Sequence, residues 1–300
     1  MTGQAKRFFE SVLAHAGRLG IGDRKVRLGT LIVAYHNIVL DDDPPDGDLP
    51  LHLPLQTFRE HLDVLEELCD VVSLNDLSAR SLRRRVIITF DDAYRGAVRY
   101  ALPELAKRGL PSVVFVAPAY LEDGTFWWDD AARALGRALP TELRLQALET
   151  WRGREDEIRH AVPGMGAAST AAPSALRCCS LAELRAAVRE GPVLLGSHTW
   201  THPNLTRLNH LELEAELAQP LEWLRSEFPE AGIPFLTYPY GLVSGEVRSA
   251  TIAAGYEGAL LVMGGWTSHD DDRFAIPRKN VPAGLSADGL AARLTGILPP

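Results

Sequence analysis

Four short stretches place ionisable or aromatic residues immediately after apolar runs. Residues 86–90 (VIITF) run into Asp91 and Asp92, and 193–195 (VLL) run into GSHTWTH, with His198 and His202 four apart. Residues 235–237 (FLT) run into Tyr238-Pro239-Tyr240-Gly241, and 31–35 (LIVAY) run into His36. Singly, each pattern is ordinary: an Asp pair caps a helix, spaced histidines share a solvated face, and Tyr-Pro-Tyr-Gly makes a turn. Together they supply the parts of a hydrolytic site around one metal ion. Two histidines and one carboxylate form a three-ligand set that leaves a position for water. The second carboxylate is then free to take a proton from that water. His198 and His202 point to one side if the chain turns helically after its strand.

Such a set works only if strand ends meet. Apolar runs at 31–35, 86–90, 112–117 (SVVFVA), 193–195 and 235–238, with 260–263 as a further candidate, read as buried strands. Residues 58–68 (FREHLDVLEEL), 100–108 ahead of Gly109, 211–228 and 245–254 carry helical spacing. Uninterrupted strands separated by helices imply a parallel sheet covered on both faces, and about seven such units favour closure. The expectation is an α/β fold, a distorted (β/α)7-type barrel of parallel strands. It forms a single domain over residues 28–300, with polar residues gathered at the carboxyl ends of its strands. Residues 129–180 break the rhythm with helical pieces and the small-residue stretch 164–175 (GMGAASTAAPSA), which reads as an insertion with a mobile loop.

The 300 residues are 46% hydrophobic and 23% charged, as in a globular protein rather than a disordered one. Asp and Glu number 39 against 31 Lys and Arg, and the net charge of −8 argues against a nucleic-acid partner, which calls for a cationic surface. No apolar run approaches the roughly 18 residues of a transmembrane segment. In the lead-in, residues 1–27, Phe8, Phe9, Val12, Leu13 and Ala16 fall at helical spacing beside Lys6, Arg7 and Arg18. This reads as an amphipathic helix packed on the domain, with peripheral membrane contact as the alternative. Glu10, His15 and Arg18 interrupt any secretory signal, and the three cysteines, Cys178 and Cys179 adjacent, make no disulfide framework. A reduced, cytoplasmic protein is expected.

The combination TFDD at 89–92, HTWTH at 198–202 and TYPYG at 237–241 resembles the polysaccharide deacetylases with the NodB-homology domain, carbohydrate esterase family four, over about residues 31–282. By that resemblance Asp91 is the base, and Asp92, His198 and His202 hold one divalent ion. Tyr238 and Pro239 wall the substrate cleft, and the backbone N–H of Tyr240 helps hold the oxyanion. Several positions depart from the pattern. Ala93 stands where a Gly is usual, so its turn either avoids positive φ or is strained. Thr237 stands where an Arg often orients the base. Arg278 lies where the family places another barrel-mouth Arg, with three readings: a replacement for that Arg, a substrate contact, or a surface ion pair. The family's late Leu-x-His motif is missing from the end, LTGILPP. Ala34-Tyr35-His36-Asn37 resembles that element moved to the N-terminus, as in a permuted subgroup, which makes His36 the general acid. Trp127 and Trp128 read either as platforms for a sugar ring or as core. His269, Asp270, Asp271 and Asp272 read as an acidic surface loop.

The resemblance implies hydrolysis of an N-acetyl group on an amino sugar in a glycan or glycoconjugate. Metal-bound water loses its proton toward Asp91 and attacks the acetyl carbonyl, and His36 protonates the leaving amine. Zinc is expected of a His₂Asp set, with cobalt or nickel fitting the same ligands. Hydrolysis of a non-sugar amide or an O-acetyl ester, and a catalytically silent glycan-binding module, are the alternatives.

Overall fold

The computed structural model describes residues 3–18, 29–79, 81–267 and 271–298. Helix α1 (Gly3–Arg18) precedes β1 (Thr30–Tyr35), after which β2 (Asn37–Val39) and β3 (His52–Pro54) pair as a separate parallel ribbon. Helix α2 (Leu55–Leu68), β4 (Asp70–Val71), β5 (Arg85–Phe90), α3 (Leu102–Arg108) and β6 (Ser112–Val116) follow. Four helices then intervene: α4 (Trp127–Leu135), α5 (Thr141–Glu149), α6 (Glu155–Ala161) and α7 (Met165–Thr170). Next come α8 (Leu181–Glu190), β7 (Val193–Ser197), α9 (His210–Glu227), β8 (Gly232–Thr237) and α10 (Gly245–Ala253). The last described elements are β9 (Gly258–Leu260), β10 (Trp266–Thr267), β11 (Lys279–Asn280) and α11 (Ala287–Leu294).

The main sheet runs β10-β1-β5-β6-β7-β8-β9, with β4 beside β5 and β11 beside β1, and only β10 is antiparallel. Alternation along the strands sorts their side chains. Ile32, Ile87, Val113, Phe115, Ile233, Phe235 and Leu260 form a core of their own inside the curl. Leu31, Val33, Val86, Ile88, Phe90 and Val114 point outward to the core shared with the helices. The two ends of the sheet are joined by one segment. Ile276 bridges Leu260 in parallel, β11 pairs with β1, and Val281 N–H donates to Ala34 O at 2.9 Å. The result is a mostly parallel, curled sheet with surrounding helices, the expected (β/α) barrel-type fold.

Some local expectations change. The strand expected at 260–263 lies earlier, at Gly258–Leu260, because its partner β8 ends at Thr237, opposite Leu260. The helix expected from residue 100 starts at Leu102, after one π turn at Ala97–Ala101. The stretch 164–175 is not a loop throughout, since α7 is anchored by fully buried Met165. Helix α1 packs on the domain. Gly17 approaches Thr295 so closely that a Cβ would lie 2.2 Å from its Oγ1, and Arg18 pairs with Glu67 of α2 at 2.9 Å. No helix among the described residues is long and apolar enough to cross a membrane. Of the acidic loop, His269 and Asp270 lie outside the described residues, and Asp272 pairs with Arg248 at 2.9 Å.

Candidate functional site

The alternation that fills the interior also delivers the site. Two-residue steps lead from Ile32 through Ala34 to His36, from Ile87 through Thr89 to Asp91, and from Leu194 through Gly196 to His198. Phe235 leads likewise to Thr237. Gly196 is required at its step, because a Cβ there would lie 2.4 Å from the ring of Phe115.

Asp92, His198 and His202 are all buried, and their ligand-type atoms lie within 4.8 Å of one another. Each histidine Nε2 is 3.5 Å from Asp92 Oδ1, and the two Nε2 atoms are 3.0 Å apart. His198 donates its Nδ1–H to the Thr237 carbonyl at 2.8 Å, which leaves the lone pair on Nε2. The Thr237 hydroxyl lies 2.6 Å from the same Nδ1. Asp92 Oδ1 is buried without a hydrogen-bond partner. Burial, with Asp91 and Asp129 adding to it, pushes the Asp92 carboxyl well above its ordinary range, and burial pushes both imidazoles down. A cation among the three would relieve the carboxylate and suit the neutral rings. The donor set therefore fits a divalent metal, and two imidazoles with one carboxylate suit zinc.

The convergence of the histidines does not come from the helical turn expected of HTWTH. Residues 198–204 are irregular. Thr199 and His202 instead take left-handed backbone, φ 65 and 55, which folds the loop back on itself. Glu216 of α9 holds that fold by accepting from the N–H groups of Trp200 and Thr201, each at 2.8 Å. Asp92 and Ala93 are left-handed too, φ 71 and 51, so the alanine in the usual glycine position is strained, by about 1–2 kcal/mol.

Asp91 has a different partner. Arg278 grips it with both ends of its fork, Nη1 to Oδ1 at 2.8 Å and Nη2 to Oδ2 at 2.7 Å. Arg278 Nε donates to Leu261 O at 2.7 Å, and Nη1 also reaches Thr89 Oγ1 at 3.2 Å. Burial alone would raise the Asp91 carboxyl, but Arg278, then His198, outweigh it and hold the group well below the usual carboxylate range. Arg278 is 0% exposed and lies behind Asp91, over the Phe115 ring. That corrects two of its readings, since a fully buried guanidinium is neither a surface ion pair nor a substrate contact. It stands as the partner of Asp91, while Thr237 serves His198.

A cleft of about 140 Å³ opens over these groups, lined by His36, Leu51, Asp91, Asp92, Trp128, Arg144, His198, His202, Tyr238, Tyr240 and Val262. Burial pushes the His36 imidazole down to about 4, against the opposing pull of Asp91, so its ring is neutral near pH 7. Trp127 is fully buried and does not line the cleft, which corrects its reading as a sugar platform. Its indole N–H donates to Tyr240 Oη at 3.0 Å, and Tyr240 donates to His202 O at 3.3 Å. Trp128 borders the cleft, but Phe126 stacks on it at 4.5 Å and Tyr94 Oη takes its N–H at 2.8 Å. Tyr94 in turn donates to Asp129, which also accepts from His52 at 2.9 Å. Tyr238 borders the cleft while its hydroxyl donates to Phe274 O at 3.1 Å, but Pro239 is buried outside the lining, which corrects its reading as a cleft wall. Arg144, Leu51 and Val262 carry no signal in the sequence. Tyr94 does, as the aromatic just past the Asp pair.

The family model described as polysaccharide deacetylase matches residues 79–259, more than half of the chain, and the chain belongs to that family. Among solved structures, the Streptococcus pyogenes deacetylase PplD in complex with acetate is similar at 15% identity and TM-score 0.63, covering 91% of this chain and 100% of that one. IcaB from Ammonifex degensii is similar at 16% identity and TM-score 0.63, covering 89% and 97%. BC0361, a polysaccharide deacetylase from Bacillus cereus, is similar at 16% and 0.62, covering 89% and 69%. No curated protein matches the sequence at a significant level.

Proposed function

We propose that the chain is a metal-dependent hydrolase that removes the N-acetyl group from an amino sugar and releases acetate. One observation carries this reading. An arginine-clamped, ionised Asp91 shares a cleft with a separate Asp92–His198–His202 cluster, so one carboxylate is kept as a base and the other as a ligand. Asp92, His198 and His202 would hold a divalent ion, which when bound would supply Lewis acidity and lower the pKa of water at the site. Asp91 accepts the proton of the attacking water. The Tyr240 N–H offers a hydrogen bond to the oxygen on which negative charge grows. His36, neutral at rest, takes up the proton that Asp91 removed from the water and passes it to the departing nitrogen, which is a poor leaving group until protonated. Water and amide are consumed, and acetate and a free amine are produced.

The test is acetate release from acetylated amino sugars by purified protein, with metal content measured by elemental analysis. We expect turnover that a chelator abolishes and that added zinc restores. Turnover undiminished after complete removal of metal would refute the reading.

A further inference from the structure

Among the described residues lining the cleft, Arg144 on α5 is the only lysine or arginine. Its side chain is 37% exposed, and its Nη2 pairs with Asp48, itself 7% exposed. The guanidinium also lies over the Trp127 ring, 6.0 Å from its centroid. Its Nε–H and Nη1–H groups donate to no described residue. One edge of the fork thus satisfies Asp48, and Arg144 borders the cleft in which the acetyl group would react.

A neutral glycan meets those donors only with hydroxyl and carbonyl oxygens, which are weaker partners for a guanidinium than an anion. A planar fork with free donors is matched by an anion that offers two oxygens. We propose that the natural substrate carries a carboxylate or phosphate close to its acetylated amine, and that Arg144 binds this group and selects for it. The inference rests on the deacetylase reading above, and it adds a charge requirement to the sugar.

The test compares kcat/KM for acetate release from N-acetylglucosamine, N-acetylglucosamine 6-phosphate and N-acetylmuramic acid. The two anionic probes separate phosphate from carboxylate. Wild-type protein should prefer at least one of them over the neutral sugar. Arg144→Gln should lower that preference ratio by about 10–100-fold, the range for a hydrogen bond to a charged group. Asp48→Asn breaks the ion pair but keeps the cation, so it should retain the ratio whatever it does to the overall rate. Equal wild-type rates on all three sugars would overturn the inference and leave deacetylation standing. A ratio unchanged in Arg144→Gln would overturn it too, as would one lowered equally by Asp48→Asn, which would make the pair a structural pin. Silence on every probe by metal-loaded protein would remove the deacetylase reading and this inference with it.

Discussion

Two adjacent carboxylates differ because their partners differ. Asp91 meets a guanidinium at both oxygens, whereas Asp92 Oδ1 meets only two imidazole nitrogens at 3.5 Å. Asp91→Asn should therefore keep bound metal and lose rate, by about 10²–10⁴-fold for a missing general base. Asp92→Asn should lose metal as well. Elemental analysis beside acetate-release kinetics separates the two, and equal metal loss in both would make Asp91 a ligand. The acid is tested by its leaving group. His36→Ala should slow an amide substrate far more than an activated acetyl ester, whose leaving group needs no proton, and matched losses on both would remove His36 from that role. Asp91 and His36 were legible because each follows an apolar run and alternation projects it inward, whereas Asp92, the next residue, arrives through its left-handed turn. Arg144 was not, because one arginine in a largely exposed helix looks like any solvated one until α5 is seen beside the cleft.

Elements long enough to be buried on their own account were equally legible. Strands β1, β5 and β6 are built on continuous apolar runs, and α9 carries helical spacing, its start fixed in the structure by an Asn209–Glu212 capping box. Two-residue strands such as β10 and β11 have no such pattern, because only pairing with β1 makes them strands. The HTWTH loop misled for a related reason. His-x-x-x-His is helical spacing, but the fold reaches the same convergence through two left-handed residues and a distant glutamate. Helix α2 shows how an element is locked in place. His61 is buried, accepts from Tyr35 Oη at 3.2 Å and donates to Leu285 O at 3.1 Å, tying α2 to β1 and to the segment before α11. Burial lowers its pKa to about 4, so the folded state holds it neutral where an unfolded chain would protonate it. Its contribution is complete above the ordinary histidine pKa of about 6.5 and is lost as pH falls from there toward 4, a swing of about 3 kcal/mol. Urea unfolding across that window should show a stability loss in wild type that His61→Gln reduces. Identical pH slopes would show that His61 is not the titrating group.

At the scale of the whole molecule, one segment both closes the sheet and charges the site. Ile276 pairs with β9, β11 pairs with β1, and between them Arg278 reaches inward to Asp91 and to the Leu261 carbonyl. The sequence offered the pairing with Asp91 as one of three readings of Arg278, and by resemblance alone, because the partner lies 187 positions away and nothing local marks the pairing. The coupling predicts a particular pattern of losses. Arg278→Met leaves an ionised carboxylate buried without a counter-charge, which typically costs about 3–5 kcal/mol. Asp91→Asn alone strands the guanidinium in the same way. The double variant buries neither charge alone, so denaturant unfolding should find it markedly more stable than the sum of the two single losses allows. That recovery should come without activity, since the base is gone. Strictly additive losses would mean that the two residues hold the barrel independently, and that closure of the sheet and charge in the cleft are separate properties of this fold.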